Sequence, residues 1–185
     1  MRHVALLLLA LSGLAFAPPA STLPTGDGRF RLGMTRVELD SVIARRGLRL
    51  LSAQANALAC ASDDPRVEYE RYAFVTAADG ARRLWKVTLG YRLPYTPEDL
   101  AAIEAGLVRL LGEPRVRSED PADDQASVRT TALAWTDAVI SVQLGGRWPE
   151  IQDPSSDRML VTWVDRRLQR LTEVRRRSDG RTSGR

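Results

Sequence analysis

The side chains with which this 185-residue chain could do chemistry are mainly carboxylates, hydroxyls and arginines. His3 is the only histidine and Cys60 the only cysteine, so we expect no Ser-His-Asp or Cys-His nucleophile, histidine base or zinc site. Cys60 lies among small apolar residues and is interpreted as a buried thiol; an exposed thiol that pairs between molecules is the alternative. Lys86 is the only lysine, and a Ser-Lys dyad would depend on it. With no glycine-rich phosphate loop, we expect no catalytic residue, cofactor site or metal site.

Two glutamates, Glu68 and Glu70, stand two positions apart in a predicted strand and would share one face of it. The next predicted strand carries Lys86 and Thr88 with the same spacing. Cross-strand ion pairing is one interpretation of this pattern. The alternative is a catalytic pair of the glycosidase type, which needs two carboxyl groups roughly 5–10 Å apart in a cleft.

A cluster of four acids follows the second predicted helix. Carboxylates can bind calcium, but these lack the alternate spacing and the glycine of an EF-hand loop. We therefore interpret the cluster as a solvated acidic loop. The four acids are Glu119, Asp120, Asp123 and Asp124.

Trp148 is the residue that we expect to bind a partner. It lies in a predicted loop, residues 146–157, beside Arg147, which we assign to the same candidate site. An exposed aromatic side chain is a good interface anchor; the alternative is that Trp148 folds over the edge of the sheet. The other tryptophans lie in predicted strands and are expected in the core: Trp85, Trp135 and Trp163.

Residues 1–20 have the pattern of a secretory signal peptide. Arg2 and His3 give a positive start, residues 4–16 form an apolar run, and small residues follow. The run is shorter than the roughly 20 apolar residues of a membrane-spanning helix. No second apolar run follows, so we expect a chain in the periplasm or outside the cell, with no integral membrane span after cleavage. An uncleaved N-terminal anchor is the alternative.

The basic charge is concentrated at the C-terminus. The net charge is +4 at pH 7, and residues 169–185 are rich in arginine, so we expect a disordered basic tail. Such a tail could bind an anionic envelope surface; a solvated tail with no partner is the alternative. We expect no nucleic-acid partner, because an exported protein rarely meets nucleic acid.

Two helices are predicted from their capping signals. Thr35 and Glu38 form a capping box at the start of the first helix, and Gly47 is a left-handed stop at its end. Thr96 caps the second helix, which Gly112 ends.

Alternating apolar residues predict strands in the rest of the chain. A change of phase in the first strand predicts a bulge near Glu70 or Arg71, and residues 54–65 are expected to be irregular. The elements predict one α+β domain at residues 28–168, an antiparallel sheet packed by two helices. The predicted strands are 48–51, which is short, 66–76, 84–91, 130–135, 139–145 and 158–165.

Two segments, residues 30–39 and 91–100, share one order of residue types. Each has an aromatic residue, Arg and Leu, then two residues, a capping Thr, an acid and a Leu, and each precedes a helix and strands. The pattern predicts two tandem α-β-β-β units at residues 30–90 and 91–168. The alternative is that many capped helices entered from a strand look like this.

The segment Leu-Gly-Met-Thr at residues 32–35 resembles the helix entry of the SmpA/OmlA (BamE-like) and β-lactamase-inhibitor-protein-like modules. Leu-Gly-Glu-Pro at residues 111–114 resembles the Leu-Gly-x-Pro that closes a helix in the same group. The resemblance implies helices packed on a curved antiparallel sheet, and a protein that binds other proteins of the envelope. The chain departs from the pattern because it has no acylated cysteine at the mature start, and Cys60 alone cannot form the group's disulfides.

Three functional hypotheses follow. The first is an exported, non-catalytic module that binds an envelope protein through its sheet or through the Trp148 segment. The second is a carboxylate-based hydrolase of envelope or extracellular glycans, and the third is a binder of anionic envelope surfaces that acts through residues 169–185.

Overall fold

The computed structural model describes residues 20–92, 96–120, 128–149 and 159–182. In these ranges the chain is mixed α+β, with one eight-stranded antiparallel sheet and three helices. The predicted signal peptide, apart from Ala20, and the acids Asp123 and Asp124 lie outside the described residues. The elements are α1 (Arg36–Arg46), β1 (Leu50–Ala53), β2 (Ala57–Ala61), β3 (Val67–Thr76), β4 (Arg82–Tyr91), α2 (Pro97–Leu111), β5 (Val116–Asp120), β6 (Val128–Thr136), β7 (Ile140–Pro149), β8 (Leu160–Asp165) and α3 (Arg166–Thr182).

The order of the strands across the sheet is β1-β2-β3-β4-β8-β7-β6-β5. Each of the first two helices is followed by four strands, because β2 and β5 form where the sequence predicts an irregular segment and an acidic loop. Both helices begin at the predicted caps: the hydroxyls of Thr35 and Thr96 accept from the backbone N–H groups of Glu38 and Asp99.

One face of the sheet carries the hydrophobic core. Val87 of β4, Trp163 of β8 and Val142 of β7 are fully or almost fully buried on this face, and α1 and α2 contribute Leu39 and Ile103 to the same cluster. Burial of each such side chain stabilises the fold by about 1.5–3 kcal/mol.

A bulge changes the position of Trp85. Ala73 pairs with Lys86, whereas Phe74 pairs with Leu84, so Trp85 is an extra residue on β4. An extra residue reverses the faces of the side chains beyond it, and Trp85 is half-buried instead of lying in the core. The bulge predicted near Glu70 or Arg71 of β3 lies about two residues earlier, because Val67 pairs with Tyr91 and Tyr69 with Gly90, which leaves Glu68 as an extra residue.

The expected disordered tail is largely helical. Asp165 caps α3, because its Oδ1 atom accepts from the backbone N–H groups of Arg167 at 2.9 Å and Leu168 at 3.1 Å. The helix continues to Thr182 and packs against β3, β4 and β8. Within the described ranges, neither α3 nor another helix has the length and apolar character needed to cross a membrane.

Candidate functional site

A groove of about 580 Å³ lies between α3 and the face of the sheet that is opposite the core. We call it the α3 groove. Its volume falls in the range of roughly 300–1,000 Å³ that is usual for small-ligand sites. It is lined by Trp85, Lys86, Thr136, Ser141, Gln143, Thr162, Val164, Arg166, Gln169, Arg170 and Glu173.

The floor of the groove is a row of side chains across four strands. Lys86 pairs with Val164, Val164 with Ser141, and Ser141 with Thr136. Because neighbouring strands are about 4.8 Å apart, the row spans about 14 Å. The next row along the strands adds Thr162 and Gln143.

The floor is polar because the strands alternate. Positions next to the floor in the chain, such as Val142 and Trp163, point into the core and are buried. The floor positions therefore point to the opposite face. A hydroxyl contact of 3.1 Å joins Thr136 and Ser141.

The wall of the groove is one face of α3. Arg166, Gln169, Arg170 and Glu173 recur at intervals of three and four residues, which places them on one helical face. Leu171 lies off this stripe and is 37% exposed. The helix therefore turns a polar stripe toward the groove and leaves part of its apolar surface uncovered.

Two cations of the groove have no protein partner among the described residues. The Gln169 amide donates to the Glu173 carboxylate at 3.1 Å, and the Arg166 guanidinium donates to the Asp137 carbonyl. Neither a hydrogen bond nor an ion pair from the described residues reaches the side chains of Lys86 and Arg170. These two positive charges can therefore bind an anion.

The turn beside the groove anchors the N-terminal segment. The Oδ2 atom of Asp137 accepts from the Ser21 hydroxyl at 2.7 Å and from the backbone N–H groups of Thr22 at 2.8 Å and Leu23 at 3.0 Å. Its Oδ1 atom accepts from the backbone N–H group of Ile140 at 2.7 Å. Burial raises the pKa of Asp137, but these hydrogen bonds outweigh it and hold the pKa well below its usual range.

Glu70 forms a buried polar cluster with Arg46 of α1, and Lys86 lies opposite Ala73 instead. The Glu70 side chain is fully buried and accepts from Arg46 at 2.9 and 2.6 Å, from Ser62 at 2.6 Å and from the Tyr72 hydroxyl. The prediction of cross-strand pairing was therefore wrong for Glu70, which lies opposite Leu89.

The Arg46 guanidinium offsets the buried charge of Glu70 in this cluster. Burial raises the pKa of Glu70, but the hydrogen bonds from Arg46, Ser62 and Tyr72 lower the pKa by more than burial raises it. The net shift of the pKa is therefore downward. Burial and the neighbouring Glu70 raise the pKa of Tyr72, and burial raises the pKa of the Cys60 thiol, which is fully enclosed. Glu68 is exposed on the same strand, so the two glutamates do not form a paired site in a cleft.

The predicted binding residues Trp148 and Arg147 lie in β7 rather than in a loop, opposite Arg129 and Thr130 of β6. The surroundings of their side chains lie outside the described part of the structure. The loop interpretation also fails for two of the acids, because Glu119 and Asp120 belong to β5. In the described ranges, no three histidine, cysteine or acidic side chains come together as a metal site.

The α3 groove was missed by the sequence reasoning. Two signals could have indicated it: the polar residues at alternate positions of β7 and β8, and the polar stripe that begins at Arg166, just after the capping Asp165. The arginine-rich composition concealed the second signal, because it is also typical of disordered tails. Comparison of the chain with protein-family models, curated proteins and solved structures gives no match, so the resemblance to the SmpA/OmlA and β-lactamase-inhibitor-protein modules stays a prediction.

Proposed function

We propose that the protein is an exported, non-catalytic binding module and that the α3 groove is its binding surface. The observation that carries this proposal is the pair of cations, Lys86 and Arg170, which line a polar groove without a protein partner in the described residues. Unpaired charges in a concave site are available to a ligand at little cost to the fold.

The arrangement of carboxylates supports binding rather than glycan hydrolysis. Glu173 is the one carboxylate among the described residues that line the groove, and it already accepts from Gln169. Two-carboxylate hydrolysis needs a second acid across the substrate. Glu70 is buried and paired with Arg46, so it does not serve as that acid.

Export is proposed from residues 1–20. The small residues Ala15 and Ala20 permit cleavage shortly before Ser21, and Ser21 is held by Asp137. Fractionation of cells that express the full chain, with N-terminal sequencing of the recovered protein, tests this. A full-length protein retained in the cytoplasm would overturn export.

Affinity capture from envelope extract tests the binding proposal. The mature chain and the variant Lys86→Ala/Arg170→Ala would serve as parallel baits. We expect a molecule of the extract that binds the mature chain not to bind this variant. The matched control is Arg45→Ala/Arg109→Ala, which removes the same charge from exposed positions on α1 and α2. Equal capture by both variants would overturn the groove as the binding surface.

A truncation separates the groove from the basic tail. Deleting residues 169–185 would remove the wall of the groove together with the charges. Deleting residues 175–185 instead keeps Gln169, Arg170 and Glu173 and removes five arginines. We expect the captured molecule to be retained; loss with this truncation, and in high salt, would favour surface binding through the tail.

A second candidate function, protein binding, is favoured by β1. This strand forms one edge of the sheet, and all four of its residues are exposed, with Leu50 at 51% and Leu51 at 47%. Exposed edge strands bind extended segments of partner proteins. The variant Leu51→Lys should abolish capture of such a partner and leave groove ligands bound; unchanged protein capture would exclude the edge.

We also propose that the chain contains two related units. Each unit has one helix and four strands: α1 with β1–β4, and α2 with β5–β8. The mirrored strand order and the matching capping boxes support this. If the units are equivalent, residues 20–92 alone should form a dimer through β4, measured by light scattering. An unfolded monomer would count against it.

A further inference from the structure

We infer that the ligand of the α3 groove is an anionic saccharide, a short sugar that bears a carboxylate or a phosphate. The inference rests on the proposed binding function of the groove. It follows from three separate properties of the lining: its hydroxyls and amides, its aromatic side chain and its unpaired cations.

The hydroxyl and amide groups of the floor match a polyhydroxyl ligand. Thr136, Ser141 and Thr162 can each donate and accept a hydrogen bond, and Gln143 can do both at once. A ligand that displaces water from such groups must replace the hydrogen bonds, because an unsatisfied polar group costs more than a bond gains. Apolar ligands cannot do so, whereas a sugar has a hydroxyl at nearly every carbon.

Trp85 supplies an aromatic surface beside these polar groups. The bulge on β4 takes this side chain out of the core and places it in the lining of the groove, half-buried. A tryptophan at this place gives up core burial that the alternation of β4 would have provided. Its ring has an electron-rich face, which attracts the C–H groups on the flat side of a pyranose.

The unpaired cations of the groove indicate that its ligand is negatively charged. Lys86 is the only lysine of the chain, and Arg170 lies on the wall opposite the floor. Many other arginines of the structure are held by acids, for example Arg46 by Asp63 and Glu70. Carboxylates and phosphates both form charge-assisted hydrogen bonds with lysine and arginine, so the lining fits either group.

NMR titration of the ¹⁵N-labelled mature chain is the direct test. The probes would be trigalacturonic acid and glucose 6-phosphate, each beside its neutral counterpart, the fully methyl-esterified trimer and glucose, with inorganic phosphate as the anion alone. We expect amide shifts at Lys86, Ser141, Gln143 and Arg170 with at least one acidic sugar. The better acidic sugar identifies the anionic group.

The affinities of the probes, compared with one another, test the anionic group and the saccharide separately. The neutral counterpart and phosphate should each bind at least about tenfold more weakly than the acidic sugar, because each lacks one set of contacts. Equal affinity for the neutral sugar would overturn the anionic requirement, and equal affinity for phosphate would overturn the saccharide. No groove shift with any probe would overturn the inference as a whole.

Variants link the binding to the named residues. Lys86→Gln, Arg170→Gln and Trp85→Leu should each weaken binding by about tenfold or more, while Arg45→Gln, on the exposed surface of α1, should not. Circular dichroism and melting temperature check that each variant is folded. Unchanged affinity in all three groove variants would overturn the assignment.

The capture experiment separates this inference from the proposed function. A partner protein captured through Lys86 and Arg170, with no saccharide bound, would keep the groove as a binding surface and overturn the saccharide. A saccharide bound with no captured protein would support both proposals.

Discussion

Replacing Glu70 with glutamine should destabilise the fold strongly, because the buried carboxylate is structural. The side chain is fully buried and accepts hydrogen bonds from Arg46, Ser62 and Tyr72. Glutamine keeps the size but loses the charge, and its amide –NH₂ group would face donors. The Arg46 guanidinium would keep only Asp63, which is half-exposed, as its acidic partner.

The size of the effect follows from the geometry. Removing one partner of a buried ion pair costs about 3–5 kcal/mol. For a chain of this length, each kcal/mol lowers the melting temperature by roughly 2–4 °C, so we expect a decrease of about 10 °C. The control is Asp40→Asn, which breaks an exposed i,i+4 pair with Arg36 and should cost only about 0.3–0.5 kcal/mol.

The effect should depend on pH. Because the folded-state pKa of Glu70 is lowered, its contribution is present above the unfolded pKa of about 4.3 and is lost as pH falls through the folded value. The difference in unfolding free energy between the native chain and Glu70→Gln should therefore be constant near neutral pH and shrink below about pH 4.

Urea unfolding across this pH range, followed by circular dichroism, measures both quantities. Adding Arg46→Met to Glu70→Gln should cost less than the sum of the single changes, because the double variant leaves no buried unpaired charge. A loss of less than about 1 kcal/mol for Glu70→Gln, or additive single changes, would refute the structural role.

Three further predictions concern other side chains. Trp163 has a buried Nε1–H with no partner among the described residues, whereas Trp135 donates to a backbone carbonyl at 2.7 Å; phenylalanine should therefore be tolerated better at Trp163, and a larger loss of urea stability there would contradict this. Asp137→Asn should loosen the N-terminal segment, residues 20–23, and speed amide exchange at residues 22 and 23 by at least about tenfold; unchanged exchange would show that the segment is held elsewhere. Cys60 should react with a thiol reagent only on unfolding, because it is buried and its pKa is raised; fast reaction in the native state would exclude its burial.

The sequence allowed accurate prediction where a local signal determines the structure. The box of Thr35 and Glu38 and the left-handed Gly47 bound α1, and Thr96 and Gly112 bound α2. These contacts lie within a few residues of each other, so a pattern is enough to identify them. Most of the predicted strands were found in the sheet with small differences in their limits.

The prediction errors arose where contacts between residues far apart in the chain determine the structure. β2 consists mainly of small residues and β5 mainly of polar ones, and each becomes a strand because a neighbouring strand offers backbone partners. The bulge that exposes Trp85 depends on the partner strand β3. Glu70 is buried because Arg46, on a separate helix, neutralises its charge. The α3 groove depends on a helix whose arginine-rich composition is also typical of a disordered tail.

The strand order has a consequence for how the molecule folds. β4 and β8 lie side by side in the centre of the sheet, yet α2 and three strands separate them in the chain. The β1–β4 pairings are local and can form early, whereas the β4–β8 pairing must wait for most of the chain, since closing long loops is slow. Until β8 arrives, the edge of β4 is open, and it can pair with the same strand of another molecule. The central strand pair that makes the finished sheet continuous is therefore a part of the folding chain that is prone to aggregation until both of its strands are in place.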